Sequence, residues 1–164
     1  MLFSLASAAC VPSYVEPTQG TDIATVTVDK SQFATGAFGH PNLQIFSAFS
    51  DASCSSAGGG RFATMSRYVN TVGIVKVPAG KTIFIQSMFA NIHAGDPIAN
   101  PKPVEKSVGA EEFCRNVTSF VPVAGHQCRV LQTPALAGCS TSISDVDGST
   151  VDFTRLPVSE GCKH

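Results

Sequence analysis

The chain of 164 residues has the length of one domain, with 43% hydrophobic and only 14% charged residues, against roughly a quarter charged in ordinary soluble domains. That balance suits short strands joined by turns and fits helices poorly, because solvent-facing helix surfaces are rich in Lys and Glu. Eleven basic and twelve acidic residues give a net charge of −1 with neither sign clustered, which excludes the basic stripe of a nucleic-acid binder and a polybasic membrane patch.

Residues 1–9, Met-Leu-Phe-Ser-Leu-Ala-Ser-Ala-Ala, are uncharged, apolar and then small, like the end of an export signal, and too short to cross a bilayer. Two cleavage readings stand open. One is the small-x-small pattern Ala6-Ser7-Ala8 of an ordinary signal peptidase. The other is a lipobox, Ser7-Ala8-Ala9-Cys10, in which Cys10 receives diacylglycerol and becomes the mature N-terminus; Ser7 stands where Leu is usual. Residues 10–21 carry Pro12, Pro17 and Gly20 without periodicity and read as a disordered, extended, Pro-rich tether. Residues 22–164 are then a single domain.

Within it, Ile23 to Val28 alternates and is β-branched, with Ala24, Val26 and Val28 on one face. Leu43 to Phe49 reads as a second strand buried through Leu43, Ile45 and Phe49. Ser50 to Gly60 is turn-rich, with Gly58-Gly59-Gly60-Arg61 as a flexible hairpin tip. Arg61 to Arg67 and Thr71 to Val77 follow as strands. Pro78-Ala79-Gly80 turns into Lys81 to Phe89, apolar on both faces and therefore central. Residues 91–112 hold Pro97, Pro101 and Pro103 and form a long loop, with a short helical turn near Val104 to Val108; loops of that length in compact domains are often functional. Phe113 to Pro122 places Cys114, Thr118 and Phe120 on one face. Gln127 to Leu131 and Cys139 to Asp145 are strands, and Asp147-Gly148 is a hairpin turn returning through Thr150 to Arg155. About eight to nine short strands and no long amphipathic helix predict an all-β, immunoglobulin-like or Greek-key sandwich, with a transthyretin-like sandwich or small barrel as the alternative.

Six cysteines stand at positions 10, 54, 114, 128, 139 and 162, with no close pair of the kind zinc uses. Disulfides in an oxidising compartment are the expectation. Strand parity turns Cys114 and Cys139 inward on strands separated by one hairpin, so they are expected to pair. Cys54 and Cys162 then pair and pin the tail, leaving Cys128 as a buried free thiol if Cys10 is lipidated.

No catalytic residue, metal site or cofactor is assigned. His126 and Cys128 alternate to one face, but a catalytic thiol needs an accessible, electropositive setting, and a structural role is the better reading. His40 and His93 have no ligand partner at useful spacing. Asp145-Val146-Asp147-Gly148 lacks the later oxygen ligands of a calcium loop. The strand pattern after Gly60 removes the helix N-terminus a phosphate cradle needs. Asn116-Val117-Thr118 is a glycosylation triplet whose parity with Cys114 turns Asn116 inward.

The chain resembles a set of uncharacterised Gram-negative lipoproteins of similar size. The residues that carry the resemblance are Cys10 with Tyr14 and Pro17, Phe49-Ser50-Asp51-Ala52-Ser53-Cys54, Val77-Pro78-Ala79-Gly80-Lys81, Cys114 with Phe120 to Gly125, and Gly138-Cys139 with Asp145. Cys128 stands where that pattern often has an aromatic residue. The resemblance implies an outer-membrane lipoprotein facing the periplasm, with a β-sandwich fold, and transfers no catalytic residue. The expected function is therefore a non-enzymatic envelope lipoprotein, held to the membrane through Cys10 and presenting loops to an envelope protein partner. A secreted small-molecule or glycan-binding module is the alternative. The loop 91–112 is the expected contact surface, helped by Gly58 to Arg61.

Overall fold

The computed structural model describes residues 12–18, 22–31, 43–55, 57–66, 73–91, 111–135 and 138–157. Among them are nine strands and no helix: β1 (Ile23–Val28), β2 (Leu43–Phe49), β3 (Gly59–Ser66), β4 (Gly73–Pro78), β5 (Ile83–Asn91), β6 (Glu111–Phe120), β7 (Gln127–Ala135), β8 (Gly138–Asp145) and β9 (Phe153–Leu156). They form two sheets, in the orders β4-β1-β7-β8 and β3-β2-β5-β6-β9. All neighbours are antiparallel except β1 and β7. The chain is a Greek-key β-sandwich, as its composition and periodicity predict. In the constant immunoglobulin order the first strand lies beside the second, whereas here β1 lies between β4 and β7.

Alternation builds the core. Ala24, Val26 and Val28 of β1 and Val75 and Val77 of β4 face Phe46 and Ala48 of β2, Ile83 and Ile85 of β5, and Phe120 of β6. Cys128, Val130 and Ile143 complete that layer from β7 and β8. As expected from its two apolar faces, β5 is central, between β2 and β6. Its outer face is covered too, by a second cluster of Phe49, Cys54 and Val117 with Phe84 and Leu156 against it.

Four expectations are corrected. In β2 Leu43 and Phe49 are buried as expected, but Ile45 is only half-buried, and Phe46 and Ala48 supply the main core from the other face. Gln44, on that same face, is buried although polar. Second, Gly59 and Gly60 are not a flexible tip but the first residues of β3. Third, the strand after the Asp147-Gly148 turn does not return along β8. Only Ser144 and Thr150 bridge there, and β9 crosses to pair with β6 in the other sheet.

The fourth concerns the segment expected to be a tether. Residues 12–18 are extended, but they strap across the two edge strands β3 and β4. Ser13 forms a parallel bridge to Arg61, the Arg61 amide donates to the Pro12 carbonyl at 2.8 Å, and the Tyr14 amide donates to the Arg61 carbonyl at 2.9 Å. The Lys76 amide of β4 donates to Glu16 Oε1 at 3.0 Å. A Cβ on Gly60 would sit 2.2 Å from the Pro12 carbonyl oxygen, so glycine is what lets the strap approach. On the opposite side, Arg155 of β9 donates from Nε and Nη2 to the Thr141 carbonyl of β8, at 3.3 and 3.2 Å.

Candidate functional site

The connectivity sorts the segments between strands to two ends. Val28, Leu43, Ser66, Gly73, Ala90 and Gly138, at or next to the strand ends that flank residues 32–42, 67–72, 92–110 and 136–137, stand at one end of the sandwich. The turns 50–58, 79–82, 121–126 and 146–152 occupy the other end. We refer to these as the loop end and the turn end.

Beneath the loop end the core changes character. Gln44, Ser87, Gln132 and Thr141 are fully buried and link the sheets through side chains. Gln132 Nε2, on β7, lies 3.1 Å from the Ser87 carbonyl, 3.2 Å from Asn116 Oδ1 and 3.3 Å from Cys139 Sγ. Gln44 Nε2, on β2, donates to Gln132 Oε1 at 3.3 Å, while Gln44 Oε1 accepts the Ser31 amide at 3.0 Å. The Ser87 and Thr141 hydroxyls are 2.8 Å apart, and Thr141 donates to Asn116 Oδ1 at 3.2 Å. Asn116 Nδ2 donates to the Cys139 carbonyl at 3.0 Å, so the glycosylation triplet has its asparagine turned inward and occupied. Satisfied polar networks of this kind fix a register that apolar contacts leave loose.

The disulfide lies in this network. Cys114 of β6 and Cys139 of β8 are bonded, with Cα atoms 6.1 Å apart, and because β6 and β8 belong to different sheets the bond ties the two layers together. Cys54 is also disulfide-bonded, and no other described cysteine is its partner; Cys10 and Cys162 lie outside the described residues. Cys54 sits at φ 56°, a left-handed conformation that a non-glycine residue adopts only where the surroundings hold it. The Asp51 carboxylate does so, accepting from the Ser53 amide at 3.0 Å, the Ser53 hydroxyl and the Ser55 amide at 3.4 Å. The Ser53 hydroxyl, ahead of the backbone amides, holds the Asp51 pKa below its ordinary value. Cys128 is a buried free thiol, and burial, followed by the nearby Asp145, pushes its pKa up.

At the turn end, His126 Nδ1 lies 2.6 Å from Asp145 Oδ2, joining the β6–β7 turn to the end of β8. The sequence places His126 in a turn and Asp145 at the end of a strand, with no signal that they meet. Asp147 accepts the Ser149 amide at 2.8 Å, which pins its own turn and lowers its pKa. Among the described residues no group of three His, Cys, Asp or Glu side chains is placed to hold a metal ion. Asp145 and Asp147 are thus engaged with His126 and Ser149. Cys128 faces the core from β7, whereas exposed His126 lies in the turn that precedes that strand.

Beside the strap is an open, largely apolar cavity of about 390 Å³, lined by Tyr14, Val15, Pro17, Phe49, Gly59, Pro78 and Ile83 with Lys81 at its rim. Burial, then Glu16, raises the Tyr14 pKa. This cavity depends on the docking of the strap and so has no signature in the sequence. His40, His93 and the expected helical turn at Val104 to Val108 lie outside the described residues, as does the loop 91–112 apart from Asn91, Glu111 and Glu112. No protein-family model matches the chain, and no curated protein matches it.

Proposed function

We propose that the chain is an exported binding module: a non-enzymatic cell-envelope lipoprotein, attached through Cys10, whose loop end engages a protein partner. The observation that supports this reading is that the strand ends flanking residues 32–42, 67–72 and 92–110 stand together at one end of the sandwich, above an inter-sheet disulfide and a satisfied polar network. Recognition segments carried on a braced scaffold lose little order on binding. The disulfides agree with an oxidising compartment. Outer-membrane attachment facing the periplasm follows the resemblance and the Cys10 lipobox.

The test uses the full-length gene, expressed in its own host. A photo-reactive residue is placed in 92–110, and at exposed Thr154 on β9 as control. Expected is one discrete crosslinked protein from the loop position and none from Thr154. Equal labelling from both positions, or none from either, would sink the reading. Intact mass of the same protein reads the diacylglyceryl addition at Cys10.

One observation favours a second reading, a secreted small-molecule or glycan-binding module: the cavity beside the strap has a volume within the usual range of ligand pockets. A thermal-shift screen against small apolar ligands and glycans separates the two, because a ligand that binds only the native state raises its stability.

A further inference from the structure

Four of the five large hydrophobic side chains most exposed among the described residues, Val15, Val121, Val123 and Val146, lie on the strap or at the turn end; the fifth, Ile74, is on β4. They are linked through the local structure. Val121 and Val123 line one shallow depression with His126 and Val151, and the Val146 amide donates to the Gln127 carbonyl next to His126. The Gly80 amide donates to the Pro122 carbonyl, which joins this group to the 79–82 turn and so to Lys81 and the strap cavity that Val15 lines. Surface hydrophobics scattered singly need no explanation, but a group at one end of a molecule does.

Covalent reach limits how far an anchor on Cys10 can stand from Pro12. Pro12 and Tyr14 are hydrogen-bonded to Arg61 near the first residues of β3, and Pro12 is two residues from Cys10, a covalent reach of at most about 7 Å. β3 begins at Gly59, opposite Phe49, which is the turn-end side of the sheet. A lipid on Cys10 therefore leaves the domain almost no tether, and the end nearest the anchor is the one that carries the exposed valines.

We infer that the turn end, through Val121, Val123 and Val146, rests on the surface of a lipid bilayer, so that the loop end points away from the membrane. This rests on the lipid attachment at Cys10 proposed above. The charges nearby select the lipid. Lys81 and Arg61 are outnumbered at this end by Asp22, Asp51, Asp145, Asp147 and Asp152, so the surface suits zwitterionic headgroups and is repelled by an anionic leaflet. The bilayer then serves as a floor that holds the loop end outward toward partners.

The chain has no Trp, so a single introduced Trp is a clean reporter. Val123→Trp and Val146→Trp are compared with Thr133→Trp, an exposed position on β7 toward the loop end. All are made as lipidated full-length protein whose thermal midpoint matches the parent, in vesicles of brominated phosphatidylcholine. Expected is loss of most Trp emission at positions 123 and 146 and none at 133. Equal quenching at all three positions, or none at 123 and 146 in protein whose mass carries the lipid, overturns the orientation while leaving the anchor standing. A mass without lipid at Cys10 removes the anchor and, with it, this inference.

Discussion

On β7, Cys128 faces Val26 across the parallel pair and Asp145 across the antiparallel one. Ionising it would place a thiolate in a layer of aliphatic side chains near a carboxylate, so the folded thiol keeps its proton to a higher pH than the unfolded one. Its contribution to stability is present in full below the unfolded thiol's range and is lost as pH rises through the folded value. Iodoacetamide at neutral pH is therefore expected to leave Cys128 unmodified in native protein and to label it on unfolding, with thermal midpoints falling above the ordinary thiol range. Cys128→Ser, which buries a hydroxyl among aliphatic groups, should cost about 1–3 kcal/mol in denaturant melts and abolish that alkaline fall. Rapid labelling of the native protein would mean that the thiol is accessible after all. At this scale the sequence was partly legible. Parity alone turned Cys114, Cys139 and Cys128 inward. It failed for Gln44, because an alternation pattern treats a buried amide as a solvent-facing one, and only the Gln132 partner on a distant strand reveals otherwise.

Among the elements, the strap was the least legible. A segment with two prolines and no periodicity reads as a linker, and its docking depends on Gly60, which a sequence reading assigns to a flexible turn. The glycine is needed because the Pro12 carbonyl occupies the space a Cβ would take. Gly60→Ala is expected to push the strap from the β3 edge. Tyr14, whose phenol is now held above its ordinary range by burial and Glu16, should then titrate in the ordinary range, read by ultraviolet absorbance against Tyr14→Phe. Amide exchange at Arg61, which donates to Pro12, should rise with it. An unchanged Tyr14 titration in Gly60→Ala would show that the strap's burial does not depend on this close approach. The same displacement would open both β3 and β4 as unpaired edges, which natural sheets cover to prevent edge-to-edge association. Other elements were read with small errors of boundary, and β9 was misassigned for a topological reason. The Asp147-Gly148 signal specifies a turn, whereas the sheet that the returning strand joins is decided by Phe153 and Leu156 meeting β6.

Over the whole molecule, the two ends of the sandwich are held by different means. The turn-end half is closed by aliphatic packing, from Val26 and Val77 to Ile83 and Phe120. The loop-end half contains amides and hydroxyls that must stay paired, and the Cys114–Cys139 bond crosses between the sheets there. Losing that bond should act on the ends unequally. The cross-link spans 25 residues, and the loop-entropy cost it removes from the unfolded chain is about 3.5 kcal/mol. Replacing both cysteines, as Cys114→Ala with Cys139→Ala, should therefore lower stability by about that amount in denaturant melts. It also removes the sulfur 3.3 Å from Gln132 Nε2, so protection from amide exchange should fall first in β8 and the adjoining part of β6, while β1, β4 and the strap keep theirs. A uniform loss of protection would mean that the sandwich opens as one unit and that the loop end has no separate brace. Localised loss would place the low-stability region at the loop end, where Leu43, Ala90 and Gly138 stand and where a partner's binding energy is best able to restore order.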